Sequence, residues 1–381
     1  MCGLCRTVEK LLGINEDNFD ESELRGDKFR PSFDLGVDKF LQHGSTVQPP
    51  TNQNQPQVII VKEQALETNK ILQYTPKVIK KELLFEPICL EDYIGQEEAK
   101  EQIRTALAII KKLRPIHILI NGWAGCGKTT LARIAASMLK ADFIYRVPEQ
   151  LDDVDKLLDV INLIQSSPNL TVFMLDEIHT ISQFPRVANV LLPILQEWKY
   201  GDADIKPFVM IGATTDKDQL VRKHSPLVSR FQVNITLEKY KPLELQTIIK
   251  NYKEAIYKDM EIAKHDYEVI SKNSRGVPRE AIALLLKQLV VKDMNKVLHQ
   301  SGIVKDGITK IDLKILKALV ENNKPMGANY LSQACGIPQS DYEQIYERFL
   351  VEQGYISRQS RGRMISDKGK QILSEIKTKN A

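Results

Sequence analysis

Nine residues, Gly122-Trp-Ala-Gly125-Cys126-Gly127-Lys128-Thr129-Thr130, carry the first recognisable chemistry of this 381-residue chain. Glycines at 122, 125 and 127 let the backbone curl until successive N–H groups face an anion at a helix N-terminus. Lys128 can reach the terminal phosphates, and the Thr129 hydroxyl can hold Mg²⁺. The spacing implies a nucleoside triphosphate. Cys126 occupies a permissive position in the loop, and a helix N-terminus with Lys128 nearby predicts a lowered thiol pKa there.

A phosphate loop needs an acidic partner, and Thr171-Val-Phe-Met-Leu-Asp176-Glu177-Ile-His179 supplies one. Four apolar residues deliver two carboxylates at the C-terminal edge of a strand, where open α/β sheets bind ligands. Asp176 suits the Mg²⁺ shell, and Glu177 suits orienting or deprotonating an attacking water. Phe208-Val-Met-Ile-Gly-Ala-Thr214-Thr215 is a second apolar strand, ending in hydroxyls that could hydrogen-bond the water or the γ-phosphate. Ser225-Pro-Leu-Val-Ser-Arg230-Phe231 places a guanidinium before another strand, where it could serve a neighbouring subunit's site in phosphoryl transfer. Ser274-Arg-Gly276-Val-Pro278-Arg279-Glu280 starts a helix, with Pro and Glu in its first turn.

These residues need a scaffold of a particular kind. Apolar runs at Ile116–Ile120, Val172–Leu175, Phe208–Ile211 and Val233–Leu237 alternate with helical patterns, Leu131–Leu139 among them. That alternation predicts an α/β unit, a parallel sheet between helices. The pattern is all-helical from Tyr240 to about residue 300, and a third unit runs from Ile311 to Ile376. Ahead of them, Gly44 to Gln57 is rich in Pro, Gln, Asn and Thr and reads as a linker, with Val58–Val61 as a possible short strand. The expected domains are an N-terminal extension (1–84), an ATPase domain (85–240), a helical lid (241–308) and a C-terminal domain (309–381).

A chain that is 43% hydrophobic can fill such cores, and 53 basic against 49 acidic residues give a net charge of only +4. Any nucleic-acid contact must therefore come from local clustering. No signal peptide and no transmembrane span is legible, which points to a cytoplasmic protein with no membrane partner. Five cysteines suggest reduced thiols, and Cys2-Gly-Leu-Cys5 is half of a zinc pattern without its second half.

The last unit reads as a winged helix. Ile311, Ile315, Leu316 and Leu319 share a helix face, Tyr330 to Ala334 makes a second helix, and Ser340 with Glu343 predicts a capping box for a third that ends before Gly354. Short strands at Tyr355-Ile356 and Met364-Ile365 flank a basic loop. The third helix carries Asp341, Glu343 and Glu347 against one Arg348, so phosphate would repel it. The wing, with Arg358, Arg361 and Arg363, is the better DNA element and would bind without sequence preference.

In order, these parts resemble the RuvB Holliday-junction branch-migration motors, within the AAA+ ATPases. The residues that carry the likeness are Leu90-Glu-Asp-Tyr-Ile-Gly-Gln96, the phosphate loop, Asp176-Glu-Ile-His179, Gly212-Ala-Thr-Thr215, Ser229-Arg-Phe231, Gly276-Val-Pro-Arg279 and Gln353-Gly-Tyr-Ile-Ser-Arg358-Gln-Ser-Arg-Gly-Arg363. The resemblance implies ATP on Lys128, Thr129 and Thr130, and Asp176 and Glu177 as the acidic pair. It further implies Thr214 or Thr215 as sensor, Arg230 acting in trans, and Tyr240 and Arg279 at the nucleotide from the lid side. DNA, as a four-way junction or duplex, would meet Arg358 and Arg363, and the subunits would form a homo-oligomeric ring, a hexamer.

Three departures stand out. Trp123-Ala124 replace two prolines, and Glu86 stands where an arginine is usual. Lys199-Tyr-Gly-Asp-Ala-Asp-Ile-Lys-Pro207 is too short for the long β-hairpin that docks on the family's junction-binding partner, which argues against a RuvA-type partner. Two rival functions fit less of the chain: a clamp-loader or helicase-loader ATPase, and a nucleotide-switched DNA-binding adaptor with little turnover. His179 also invites comparison with DExH-box helicases, but only one RecA-like domain fits here.

Overall fold

The computed structural model describes residues 87–379 apart from 323. The linker, the strand at 58–61, the half zinc pattern at Cys2 and Cys5, and Glu86 lie outside the described residues. The strands run β1 Ile118–Gly122, β2 Asp142–Arg146, β3 Thr171–Leu175, β4 Lys199–Tyr200, β5 Ala203–Asp204, β6 Val209–Thr214 and β7 Val233–Leu237. Five of them form one sheet in the order β2-β3-β6-β1-β7, with every pairing parallel. The phosphate loop therefore leaves an inner strand, with β6 on one side and β7 on the other.

Strand alternation sorts the apolar residues to two faces. Ile118, Ile120, Val172, Met174, Ile211 and Ile235 join one core, and Leu119, Phe173, Leu175 and Met210 the other. Helices Glu97–Lys112 and Lys128–Leu139 cover the first face. Val154–Ser166, Pro185–Glu197 and Lys217–Val228 cover the second. β3 and β6 are buried at every position, as central parallel strands must be. β2 was not anticipated; it is a half-buried edge strand whose apolar run, Phe143-Ile-Tyr145, lies between charged residues.

Four helices follow in the segment expected to form the lid: Pro242–Ile256, Lys264–Asn273, Pro278–Val291 and Met294–Gln300. A small hairpin, β8 Ile303–Lys305 with β9 Ile308–Thr309, leads into helices Lys310–Asn322 and Ala328–Cys335. The third helix of this domain, 339–352, opens α-helical, is π-helical over Tyr342–Glu347, and returns to α over Arg348–Glu352. It starts at Gln339 with Pro338 as N-cap, so the expected Ser340 capping box does not form. The wing is β10 Ile356–Gln359 paired antiparallel with β11 Gly362–Ile365, followed by helix Asp367–Lys379. Among the described residues no helix is long and apolar enough to cross a membrane.

His117 lies at the foot of β1 and is 1% exposed. Met210 N–H donates to its Nδ1 at 3.0 Å, and its Nε2 lies 3.0 Å from the Leu195 carbonyl. Nδ1 must accept and Nε2–H must donate, so the ring is neutral. Burial pushes its pKa down to about 4. An unfolded histidine protonates near 6.5, so between these values the unfolded chain binds more protons and stability rises with pH. Lowering the pH from 7 to 4.5 should cost the native chain roughly 2–3 kcal/mol more than His117→Gln, as read from urea unfolding at both pH values.

Candidate active site

The phosphate loop is bent at two glycines that nothing larger could replace. Gly125 has φ +78° and Gly127 φ +93°. A Cβ on Gly125 would lie 2.7 Å from the Cβ of Arg279, and one on Gly127 would lie 2.7 Å from the Tyr93 hydroxyl. Tyr93 donates to the carbonyls of Cys126 and Gly127, each at 3.3 Å, and Tyr240 donates to the Cys126 carbonyl at 3.4 Å. Burial pushes the Tyr93 phenol well up and the Tyr240 phenol up to about 12, so both remain donors at any physiological pH. Tyr240 and Tyr93, the latter in the Leu90–Gln96 segment, thus fix the loop through its carbonyls.

Lys128 is buried and folds back, donating to the carbonyls of Gly122 at 3.0 Å and Trp123 at 3.1 Å. Burial lowers its pKa, against the pull of Glu177 and Asp176, and the Arg279 charge adds to the lowering. Arg279 itself is exposed and makes no side-chain hydrogen bond among the described residues. Its place at the foot of helix Pro278–Val291 lets it lean over the loop. For Cys126 the expected lowering of the thiol pKa is wrong. Burial dominates the nearby positive charges and pushes it up to about 11, which leaves an inert thiol.

Thr129 Oγ1 donates to Asp176 Oδ2 at 3.3 Å, and the Tyr145 hydroxyl shares that oxygen at 3.2 Å. Thr130 lies one residue further along the helix, half-buried, with no side-chain hydrogen bond among the described residues. Glu177 takes a left-handed conformation, φ +47°. Its Oε2 accepts from Thr215 N–H at 3.1 Å and from the Thr215 hydroxyl at 2.8 Å, with His179 Nδ1 at 3.3 Å. Oε1 has no hydrogen-bond partner among the described residues. Of the two candidate sensors only Thr215 touches Glu177; Thr214 is fully buried, 3.1 Å from His179 Nδ1 and accepting from Asp216 N–H. Sequence reading missed His179 and Tyr93 as parts of the site, although both stand inside motifs it had singled out.

Arg230 lies elsewhere. The helix before it breaks at His224 (φ −142°) and contains Pro226. Its Nη1 donates to Ser229 Oγ at 2.9 Å and to the Pro226 carbonyl at 3.3 Å, while its Nε is buried without a partner. It borders a cavity of about 300 Å³ with Arg114, His117, Trp198 and Gln232, at the N-terminal ends of β1 and β7. The loop leaves β1 at the opposite end, about 16 Å away along a five-residue strand. Arg230 therefore cannot serve the loop of its own chain.

At the wing the structure divides the three arginines. Glu347, 0% exposed, accepts from Arg363 Nε at 2.9 Å and Nη2 at 3.1 Å, and from Arg358 Nε at 2.5 Å. Arg363 is thereby committed to holding the wing to the third helix. Arg358 stays more than half exposed, and Arg361, at the tip, has no partner among the described residues. The acidic helix therefore anchors the wing, which the count of its charges did not reveal.

A family model described as "Holliday junction DNA helicase RuvB P-loop domain" matches residues 85–237, and one described as "RuvB C-terminal winged helix domain" matches residues 305–374. A relative from Nitratiruptor, "Holliday junction branch migration complex subunit RuvB", is 31% identical over 77% of this chain and 92% of its own. The protein of the same name from Thermotoga maritima is 32% identical over 74% of this chain and 90% of its own. A solved structure, "Thermotoga maritima RuvB Holliday junction branch migration motor", overlays with a TM-score of 0.65 at 31% identity, covering 76% of this chain and 98% of that one. A hairpin does stand at the shortened segment, Lys199–Tyr200 with Ala203–Asp204 around Gly201. The relatives are named as subunits of a complex, so the doubt about a RuvA-type partner drawn from the short segment finds no support.

Proposed function

This chain belongs to the RuvB family, and from that premise we propose that it is an ATP-driven DNA motor that promotes Holliday-junction branch migration in recombination and repair. The observation that carries the ATPase reading is Glu177, held at one carboxylate oxygen by Thr215 beside a phosphate loop whose carbonyls are already occupied. ATP enters against the loop N–H groups, and Lys128 leaves the Gly122 and Trp123 carbonyls for the β- and γ-phosphates. Two hard oxygen donors, the Thr129 hydroxyl and the Asp176 carboxylate, stand 3.3 Å apart and fit Mg²⁺. When bound, Mg²⁺ neutralises charge on the β- and γ-oxygens.

Glu177 then orients a water with Oε1 and receives its proton as the oxygen attacks the γ-phosphorus and the bond to ADP breaks. Tyr240 and Arg279 sense the nucleotide from the lid. Arg230, too far from its own loop, works at the site of the next subunit, which requires a ring; six is the size we propose. A complex-forming partner, of RuvA type, recruits the ring to the junction. A winged helix instead of a helical collar favours a motor over a clamp loader, and stimulation of turnover by DNA is the result that separates it from the adaptor.

DNA meets the wing tip. With Arg363 committed to Glu347, phosphate contacts fall to Arg361 and Arg358. The Arg361→Ala, Arg358→Ala double variant should reduce the slope of log K against log salt by about two units and weaken duplexes of every sequence alike. Binding to a four-way junction and to two unrelated linear duplexes across a salt series measures this. An unchanged slope would remove the wing from the DNA interface. Arg363→Ala is expected to behave differently, destabilising the winged domain by about 3 kcal/mol because a buried carboxylate loses its bidentate partner.

A further inference from the structure

The third winged-domain helix reaches Thr215, the residue that holds the Glu177 carboxylate. Arg348 places its guanidinium 3.8 Å from the ring centroid of Trp123 in the phosphate loop. Its Nη1 also donates to the Thr215 carbonyl at 3.3 Å. That same Thr215 presents its N–H and hydroxyl to Glu177. Lys239 Nζ also stands 3.8 Å from the Trp123 centroid, so the indole carries two cations. Lys239 is fixed by an ion pair with Glu352, and Arg275, paired with buried Asp312, lies 4.0 Å from the Phe349 ring centroid. Arg348, Phe349 and Glu352 thus tie one helix to the phosphate loop, to the entrance of the lid and to the lid itself.

Glu347, the preceding residue, faces the other way and grips Arg358 and Arg363 of the wing. One residue step therefore separates the carboxylate that anchors the wing from the guanidinium that braces Thr215. The step falls where the π-helical turn gives way to α-helix, a kind of irregularity that concentrates at functional sites. Arginine suits this place because a planar guanidinium can stack on an indole and donate in its own plane at once.

We propose that Arg348 is a positioning residue for ATP hydrolysis, through which DNA held at the wing is felt at Glu177. This rests on the ATPase reading above. DNA phosphate competes with Glu347 for Arg358, the helix shifts, and Arg348 moves the Thr215 carbonyl with it. Because Thr215 occupies only Oε2 of Glu177, the contact orients the free Oε1 and does not block it. Such a contact matters at small displacements, since misplacing a reacting group by about 1 Å can cost about 100-fold in rate.

The test uses the full chain carrying Trp198→Phe, which leaves Trp123 as its one tryptophan. In that background Arg348→Ala should lower DNA-stimulated kcat by about 10- to 100-fold. KM for ATP and affinity for duplex DNA should stay within about two-fold, because a positioning residue acts through Thr215 and not on either ligand. Trp123 emission should change when duplex binds the parent chain and stay fixed in Arg348→Ala. Arg348→Lys, which keeps a charge over the indole but loses the planar fork, should fall between the two. Three results would overturn the proposal: DNA stimulation retained in Arg348→Ala, DNA affinity falling in parallel with kcat, or Trp123 emission indifferent to DNA in the parent. Full turnover by Glu177→Gln would instead overturn the assignment of the base, and the emission readout, which needs no turnover, would still decide on the contact.

Discussion

Glu177→Gln is expected to bind ATP with near-native affinity and to lose about 10²- to 10⁴-fold in kcat, the range for removing a general base. Glutamine keeps the shape and the acceptor oxygen that Thr215 holds, so the loop geometry survives. What disappears is an oxygen able to take a proton from water. Equilibrium binding of a fluorescent ATP analogue together with steady-state turnover separates the two effects. Retention of more than about a tenth of the native rate would show that another group receives the proton. Lys128→Ala should behave in the opposite manner and fail at binding, because that ammonium interacts with phosphate in the ground state as well as in the transition state.

Arg230→Ala is expected to bind ATP normally and to hydrolyse it on the order of 10³-fold more slowly. The cause is distance: Arg230 and the phosphate loop of one chain sit at opposite ends of β1. A residue that acts only on its neighbour can be complemented. Lys128→Ala subunits cannot hydrolyse ATP but keep Arg230, so mixing them with Arg230→Ala subunits should restore part of the activity. Turnover plotted against mixing ratio should pass through a maximum, whereas two variants damaged in the same site would give a flat line. No rescue at any ratio would place the function of Arg230 within its own subunit.

Much of this site was legible in the chain because its chemistry is local. Gly125, Gly127, Lys128 and Thr129 lie within five residues, and Asp176-Glu177 end a strand whose burial requires an apolar run. Strand ends were less legible. β1 begins at Ile118, two residues after its apolar run starts: the His117 backbone lends the sheet only its carbonyl, which accepts from Val233 N–H, and Ile116 is buried ahead of the first pair. The parts that escaped were side chains whose partners lie far along the chain. Thr215 meets Glu177 across 38 residues, and Arg348 meets Thr215 across 133. Nothing local marks such pairs. The wing shows the same limit from the other side. Three arginines in six residues read as one basic patch, yet a buried glutamate from the preceding helix claims one of them outright and shares a second. Trp123 was visible only as an oddity of the phosphate loop, and its meaning came from Lys239 and Arg348 stacked against it.

The central claim is that this chain turns ATP hydrolysis into movement of a DNA junction, and a strand-exchange assay on a four-way junction with homologous arms tests it most directly. With ATP and Mg²⁺ the unaltered chain, supplied with its junction-binding partner, should convert the junction to two duplex products. Glu177→Gln should bind the same junction and leave it unresolved over the same time. Product formation that is equal with ATP, with a non-hydrolysable analogue and with Glu177→Gln would contradict the account, as would brisk DNA-stimulated hydrolysis that never moves the branch point.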